Sequence, residues 1–250
     1  MHWTSGVALI AFALLLQVSA NLVNDLYDFL QGADTKERLG PPRALQKGWI
    51  SPCRMRRGIV CTFGLALVPG IYLLQTVGWW ACPIVVVAMG AAWFYTAGTH
   101  SLAYLGLGDL AAFVFFGPVA LLGSYYVETL HSSHMADIAS LSSGCLAVAL
   151  LTANHLRDHI VDEAAHKKTW VVRWGLTFGR CEYGATLLLA TLLPALVGVF
   201  STLSLIPLVF WLARRAFREK DPIQLAPLLP QTATFLWIYT FLWIFENALS

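Results

Sequence analysis

The sequence predicts an all-α protein that crosses a membrane about eight times, and two observations lead to this fold class. Hydrophobic residues make up 58% of the 250 positions and charged residues only 12%, well below the roughly 25% of an average soluble domain. A bilayer accepts the apolar side chains that a soluble fold of this composition could not cover. The second observation is that Lys and Arg follow only some of the apolar segments. We predict one transmembrane domain over residues 1–250.

The spans follow from hydropathy, because a helix needs about 20 mostly apolar residues to cross the hydrocarbon core. Trp79 and Trp80 lie at one predicted boundary, where aromatic side chains favour the interface. The stretch 183–217 could be one long helix, but its Ser, Thr and Pro residues favour a hairpin. The predicted spans are 3–29, 58–77, 79–97, 107–127, 138–155, 183–200, 202–217 and 232–248.

The basic residues give the orientation. All sixteen Lys and Arg follow the first, fifth or seventh predicted span. With eight spans they all lie on one side, which the positive-inside rule makes the cytoplasmic side of the inner membrane. Both termini are then expected outside. Two long polar loops, 30–57 and 156–182, lie on the cytoplasmic side, where we expect binding or chemistry.

Two acidic motifs close odd-numbered spans. The first has Asn21, Asn24, Asp25 and Asp28 at steps of three or four, so they share a helix face, and Asp34, Glu37, Arg38 and Arg43 follow. Carboxylates at such a position are costly unless they are paired or bind a cation. A solvated helix end is the simpler alternative.

The second motif contains Asn154, His155, Arg157, Asp158 and Asp162, and Lys167 follows. Its pattern, Asn-x-x-Arg-Asp-x-x-x-Asp, is similar to the Asn-x-x-Asn-Asp-x-x-Asp of the first motif. Both motifs end spans that face the same side. We therefore predict an internal repeat of helical hairpins that brings two carboxylate pairs together.

Two carboxylate pairs are suited to diphosphate chemistry. Mg²⁺ in proteins binds one or two carboxylates together with substrate phosphates, and nearby Arg and Lys neutralise the remaining charge. Such a site assists the departure of diphosphate from an allylic carbon, while a lipid tail lies among apolar helices. The predicted cofactor is Mg²⁺, and the bilayer rather than nucleic acid is the expected environment.

Other interpretations remain open. His155 and His159 are four residues apart and could bind Zn²⁺, although the glutamate of a His-Glu-x-x-His motif is absent. A transporter could use intramembrane acids to carry protons or cations, but its acids would be expected at mid-membrane. A non-catalytic membrane scaffold is a third alternative.

The motifs resemble those of the UbiA-type intramembrane prenyltransferase superfamily, with greatest similarity to the dihydroxynaphthoate polyprenyltransferases of menaquinone synthesis. Asn24-Asp25-x-x-Asp28 and Asp158-x-x-x-Asp162 lie at the expected helix ends. The resemblance extends over most of the chain and is weakest after about residue 185. Supporting stretches are Leu-Gly-Leu-Gly-Asp109, Phe-Phe-Gly117-Pro118 and Asn154-His-Leu-Arg-Asp158.

The resemblance implies a fold of nine helices around a central cavity. It implies Mg²⁺-dependent transfer of a polyprenyl group from polyprenyl diphosphate to dihydroxynaphthoate, with decarboxylation to demethylmenaquinone. Asp25, Asp28, Asp158 and Asp162 would hold Mg²⁺–diphosphate, and Tyr95 and Asp109 would face the acceptor. The residues that would position the diphosphate or the carboxylates are Asn21, Asn24, Arg43, Asn154, Arg157 and Lys167.

The sequence departs from this family at three points. His155 occupies a position where a second Asn is usual. Thr99 stands where the hydroxybenzoate branch carries a Lys four residues after Tyr95, which favours a naphthoate over hydroxybenzoate. Prenylation of another aromatic acceptor, such as hydroxybenzoate or homogentisate, is the alternative. Only twenty residues precede Asn21, whereas a first helix with an Arg-Pro start precedes this motif in the family. We therefore expect the functional chain to begin upstream, or this chain to be poorly active.

Overall fold

The computed structural model describes residues 3–32, 40–98 and 101–249, and these ranges contain helices and no strands. Six helices are long and apolar enough to cross a membrane: Trp3–Leu30, Pro52–Val77, Gly108–Thr129, His134–Ala164, Trp170–Val197 and Pro222–Ala248. Trp79–Phe94 is a shorter apolar helix. The predicted all-α membrane bundle is confirmed, but the described ranges contain six such helices and one shorter apolar helix where eight spans were predicted.

The first half of the chain forms α1 (Trp3–Leu30), α2 (Pro52–Val77), α3 (Cys82–Phe94) and α4 (Leu102–Leu105). Ser51 caps α2 by accepting a hydrogen bond from the Arg54 backbone N–H, and Pro52 occupies the first turn, where its missing N–H costs nothing. The inner ends of α1 and α2 pack through a buried apolar cluster of Val23, Leu26, Leu45, Met55, Ile59 and Ala97.

Next comes a continuous rod made of α5 (Gly108–Val114), a π-helical stretch (Phe115–Leu122) and α6 (Gly123–Thr129). The π-helical stretch contains Pro118, which cannot donate to the helix ladder. A Cβ on Gly117 would lie 2.5 Å from the Ser140 carbonyl oxygen, so this rod packs against the following helix at backbone distance. The Ser143 hydroxyl donates to the Phe116 carbonyl at 2.8 Å, which satisfies an acceptor at the irregular turn.

The second half forms α7 (His134–Ala164), α8 (Trp170–Leu192), α9 (Ile206–Arg218), α10 (Pro222–Leu225) and α11 (Leu228–Leu249). The predicted hairpin between 183–200 and 202–217 is confirmed. Gly198, with φ of 84°, separates the two helices, and the Glu246 carboxylate accepts from the Phe200 and Ser201 N–H groups at this turn.

Helix bounds differ most from prediction around the second acidic motif. The predicted span 138–155 is part of α7, which continues to Ala164, and the predicted span 183–200 belongs to a helix that begins at Trp170. The Thr169 side chain caps α8 by accepting from the Val172 N–H. Charged residues lowered the hydropathy of both segments. α7 nevertheless continues through Asp158 and Asp162, so these residues lie on a helix and not in a loop, whereas α8 is kinked at Gly175, whose φ is 87°.

Contacts between the helices bring their basic ends together. Asp28 near the end of α1 contacts Lys167 before α8, and Arg180 of α8 donates to the Glu219 carbonyl after α9. At the opposite end, the Tyr72 hydroxyl donates to Thr4. The end of α1 and the segment between α7 and α8 therefore lie at the same end of the bundle.

The orientation can be tested with single cysteines in a background that lacks the five native ones. We expect a membrane-impermeant thiol reagent to label Lys168→Cys only from the cytoplasmic side and Ser132→Cys only from outside, because the Lys and Arg asymmetry orients short loops. Ser132 is exposed, whereas the Ser133 hydroxyl caps α7 and should be kept. Labelling of both positions from one side would show that the number of spans between them is wrong.

Candidate functional site

A cavity of about 90 Å³ lies at the basic end of the bundle. Its walls come from α1, α7, the segment after α3 and the loops that precede α2 and α8. Both acidic motifs contribute to it, as does α4 through Ala103. The predicted site residues that line it are Asn24, Arg43, Tyr95, Asn154, Asp158, Asp162 and Lys167.

Asp28 connects the two motifs. Its carboxylate is completely buried and lies 3.0 Å from the Arg43 guanidinium and 3.1 Å from Lys167 Nζ. The same Nζ is 3.9 Å from Asp162 Oδ1 and lies over the Tyr104 ring at 5.6 Å from its centre. Lys167 is therefore shared by one carboxylate from each motif.

Arg157 holds Asp158. The guanidinium Nε donates to Asp158 Oδ1 at 2.6 Å, and Nη2 donates to Asp158 Oδ2 and to the Asn154 side-chain oxygen. This two-point contact fixes the carboxylate plane more firmly than a single hydrogen bond would. Arg157 is 5% exposed, so its charge and that of Asp158 compensate each other in a poorly hydrated position.

Asp25 is held by the loop that carries Arg43. Its Oδ2 accepts from the Ala44 backbone N–H at 3.2 Å. Its Oδ1 is buried and has no hydrogen-bond partner within the described part of the chain. An unsatisfied buried carboxylate oxygen is costly, and this oxygen is suited to receive a cation or a donor from a ligand.

Some predicted residues lie away from the cavity. Asn21 is exposed and is not part of the cavity wall. Asp109 is 1% exposed and lies behind His155, whose Nδ1 is 3.4 Å from Asp109 Oδ1. Asp34, Glu37 and Arg38 fall outside the described residues.

Gly106, directly after α4, has a role that the sequence argument missed. Gly106 has φ of 75°, and a Cβ there would lie 2.2 Å from the Lys168 carbonyl oxygen. The Trp170 indole N–H donates to the Gly106 carbonyl at 2.8 Å. Only glycine permits this close approach, which fixes the segment that carries Lys167. The glycines of Leu-Gly-Leu-Gly-Asp109 were the available signal.

The described residues contain no group of three or more His, Cys, Asp or Glu side chains that could hold a metal ion by themselves. His155 faces Asp109, and His159 Nδ1 contacts the Leu156 carbonyl at 2.9 Å, so the structure does not join these two histidines in a zinc site. The acidic side chains offer oxygen ligands, which Mg²⁺ prefers together with substrate phosphates. A donor set completed by substrate oxygens therefore fits the residues present.

Comparison with known proteins decides the family. The model of the UbiA prenyltransferase family matches residues 1–239. The chain belongs to the UbiA prenyltransferase family. The predicted resemblance and enzyme class, a membrane-embedded prenyltransferase, are confirmed.

Three relatives of this prenyltransferase carry the name 1,4-dihydroxy-2-naphthoate octaprenyltransferase. The protein from Escherichia coli K12 is 35% identical over 252 aligned positions, which cover 92% of this chain and 80% of the relative. The protein from Haemophilus influenzae is 32% identical and covers 87% and 75%. The protein from Mycobacterium tuberculosis is 30% identical and covers 89% and 75%.

Proposed function

We propose that this prenyltransferase transfers a polyprenyl group from polyprenyl diphosphate to 1,4-dihydroxy-2-naphthoate, with Mg²⁺ dependence and loss of the ring carboxylate. The product would be demethylmenaquinone, made at the cytoplasmic face of the inner membrane. The observation that carries the proposal is the meeting of both acidic motifs at Lys167, beside Arg43 and a cavity. The names of the relatives support the choice of acceptor.

Arg43 and Lys167 would bind the diphosphate. Both cations contact the buried Asp28 and both line the cavity. Each is therefore held by the Asp28 carboxylate beside the space that the diphosphate would occupy. As the allylic C–O bond breaks, negative charge develops on the leaving diphosphate. Cations held in advance at that position stabilise the transition state without reorganising.

Asp25, Asp28, Asp158 and Asp162 would hold Mg²⁺ together with diphosphate oxygens. When bound, the ion would supply charge neutralisation for the departing diphosphate. Arg157 fixes the direction of Asp158, and the loop around Ala44 fixes Asp25. Because these contacts exist within the chain itself, the carboxylates are oriented before substrate arrives.

The acceptor would lie against Tyr95 and His155, which form part of the same wall. Leu151, Val161 and Ala103 supply apolar surface beside them. This wall would hold the ring carbon against the allylic carbon and exclude water, which would otherwise capture the allylic centre.

The function can be tested with purified protein in lipid nanodiscs, given polyprenyl diphosphate, dihydroxynaphthoate and Mg²⁺. We expect a prenylated, decarboxylated product by mass spectrometry. Parallel reactions with hydroxybenzoate and homogentisate test the alternative acceptors. Prenylation of one of these but not of dihydroxynaphthoate would contradict the proposed substrate.

The metal dependence is a separate prediction. A chelator should abolish turnover and added Mg²⁺ should restore it, with Mn²⁺ as a substitute, because both ions accept oxygen ligands. The measurement is the initial rate as a function of free metal concentration. Chelator-resistant turnover would contradict the metal requirement, and rescue by Zn²⁺ alone would favour a site at His155 and His159.

A further inference from the structure

A second group of ionisable side chains lies behind the cavity wall. It consists of Asp109 of α5, His155 of α7 and Glu182 of α8. His155 is 9% exposed and lines the cavity, whereas Asp109 is 1% exposed and does not. The imidazole therefore separates the cavity from a deeper carboxylate, in a layer that the diphosphate site does not use.

Asp109 is paired with His155. Within the described residues, neither of its carboxylate oxygens has a hydrogen-bond partner, and the ion pair found for it is with His155 Nδ1 at 3.4 Å. A buried carboxylate requires a positive partner or a proton. The Nδ1 proton of His155 is the donor that faces this buried carboxylate.

The position of Asp109 also orients the imidazole. A proton on Nδ1 faces the carboxylate, and this leaves Nε2 with its lone pair. Nε2 makes no hydrogen bond to the described residues, so it is the ring atom available to a molecule in the cavity. His159, one turn later, has Nδ1 on the Leu156 carbonyl and does not line the cavity.

We propose that His155 accepts the hydroxyl proton of the aromatic acceptor and that Asp109 positions it for this role. The inference rests on the proposed function, since it requires a phenolic acceptor. As the proton moves from the hydroxyl to Nε2, the O–H electron pair enters the ring and a ring carbon forms a bond to the allylic carbon. The allylic C–O bond breaks, and its electron pair leaves with the diphosphate.

The proton then returns. In the simplest balanced route, alkylation occurs at the carbon that carries the carboxylate, and CO₂ departs. The electron pair of the broken C–C bond restores the aromatic ring, and the ring oxygen takes the proton back from His155. No oxidant or further reactant is needed, and the imidazole is neutral again at the end of the cycle.

Carboxylates from three helices surround the imidazole of His155. Asp109 of α5, Asp162 of α7 and Glu182 of α8 all lie within electrostatic range of His155. The Tyr95 hydroxyl lies near the residue before Asp109, since it would be 3.2 Å from a Cβ on Gly108. When the ring takes up the proton of the acceptor, these carboxylates compensate its new positive charge.

The test compares His155→Asn and Asp109→Asn with the control His159→Asn, in nanodiscs, with kcat and KM measured from about pH 6 to about pH 10, a range that covers the ionisation of histidine and of phenols. We expect His155→Asn to lose about 100-fold in kcat near neutral pH, within the range of general-base catalysis. Its kcat should then rise towards wild type with increasing pH, because the acceptor ionises in solution. Asp109→Asn should lower kcat less than His155→Asn does, and its kcat should also recover as the pH rises.

Three outcomes decide the matter. A pH-dependent rescue of His155→Asn, with unchanged KM for polyprenyl diphosphate and a wild-type profile for His159→Asn, supports the proposal. Full activity of His155→Asn, or a loss that is equal at every pH, overturns it. If wild type prenylates hydroxybenzoate or homogentisate instead of dihydroxynaphthoate, the proposed substrate fails, and the same profiles measured with that phenol still test the role of His155. His155→Gln replaces His155→Asn if the latter does not fold.

Discussion

Asp158→Asn and Asp25→Asn should each lower kcat by at least about 1,000-fold, because each removes a charged oxygen ligand from metal-assisted departure of diphosphate, and each 1.36 kcal/mol is tenfold in rate. Asn preserves the shape of the side chain, so the loss would report charge and not packing. The measurement is kcat with saturating substrates and Mg²⁺, together with circular dichroism of the same samples.

The two variants differ in their effect on stability. Asp158→Asn leaves the buried Arg157 guanidinium without its charge partner, which should lower the melting temperature as well as the rate. Asp25 contacts a backbone N–H, so its replacement leaves no such cation uncompensated. Asp137→Asn is the matched control, because Asp137 lies at the other end of α7 from Asp158 and is half exposed. Near wild-type turnover of Asp25→Asn would remove this carboxylate from the mechanism.

Lys167→Gln should raise KM for polyprenyl diphosphate and lower kcat, with a combined loss in kcat/KM of about 10- to 100-fold, the amount expected for one charge-assisted hydrogen bond. Lys167 contacts carboxylates of both motifs, so its removal leaves Asp28 with Arg43 and increases repulsion between Asp28 and Asp162. Steady-state kinetics with varied polyprenyl diphosphate measure both constants.

Lys168→Gln is the control for this variant, since Lys168 is the next residue along the chain, is exposed and has the same charge. A double-mutant cycle with Arg43→Gln then asks whether the two cations act on the same group. An additive cycle, or a Lys167→Gln protein with wild-type KM, would contradict the shared diphosphate site.

Much of this protein follows from local sequence. Each of the eight predicted apolar segments overlaps a helix, because a helix in lipid must be apolar over its length, but only six helices of the described ranges are long and apolar enough to cross a membrane. The spacing of Asn24, Asp25 and Asp28 predicted a common face, because 3.6 residues per turn bring positions three and four apart together. Hydropathy could not locate helix ends that lie next to charged residues. It ended the predicted span at residue 155, whereas α7 extends beyond Asp158 and Asp162.

The composition of the cavity was only partly predictable. The resemblance of the motifs pointed to Asp109 as a residue facing the acceptor, and the structure puts His155 between Asp109 and the cavity. From the sequence, His155 was noted only as a departure from the family pattern, in which a second Asn is usual at this position. Its proximity to Asp109 depends on the packing of α5 against α7, which no periodicity within either helix specifies.

The sequence by itself determined the membrane class, the clustering of basic ends and the two acidic motifs, because each depends on residues that are close along the chain. The tertiary structure alone decided that Lys167 meets Asp28 across 139 residues and that Gly106 lies against the Lys168 carbonyl. These contacts depend on how loops bring separate helices together, and helical periodicity carries no information on distances between helices. The meeting of the two motifs is therefore a property of the packed bundle.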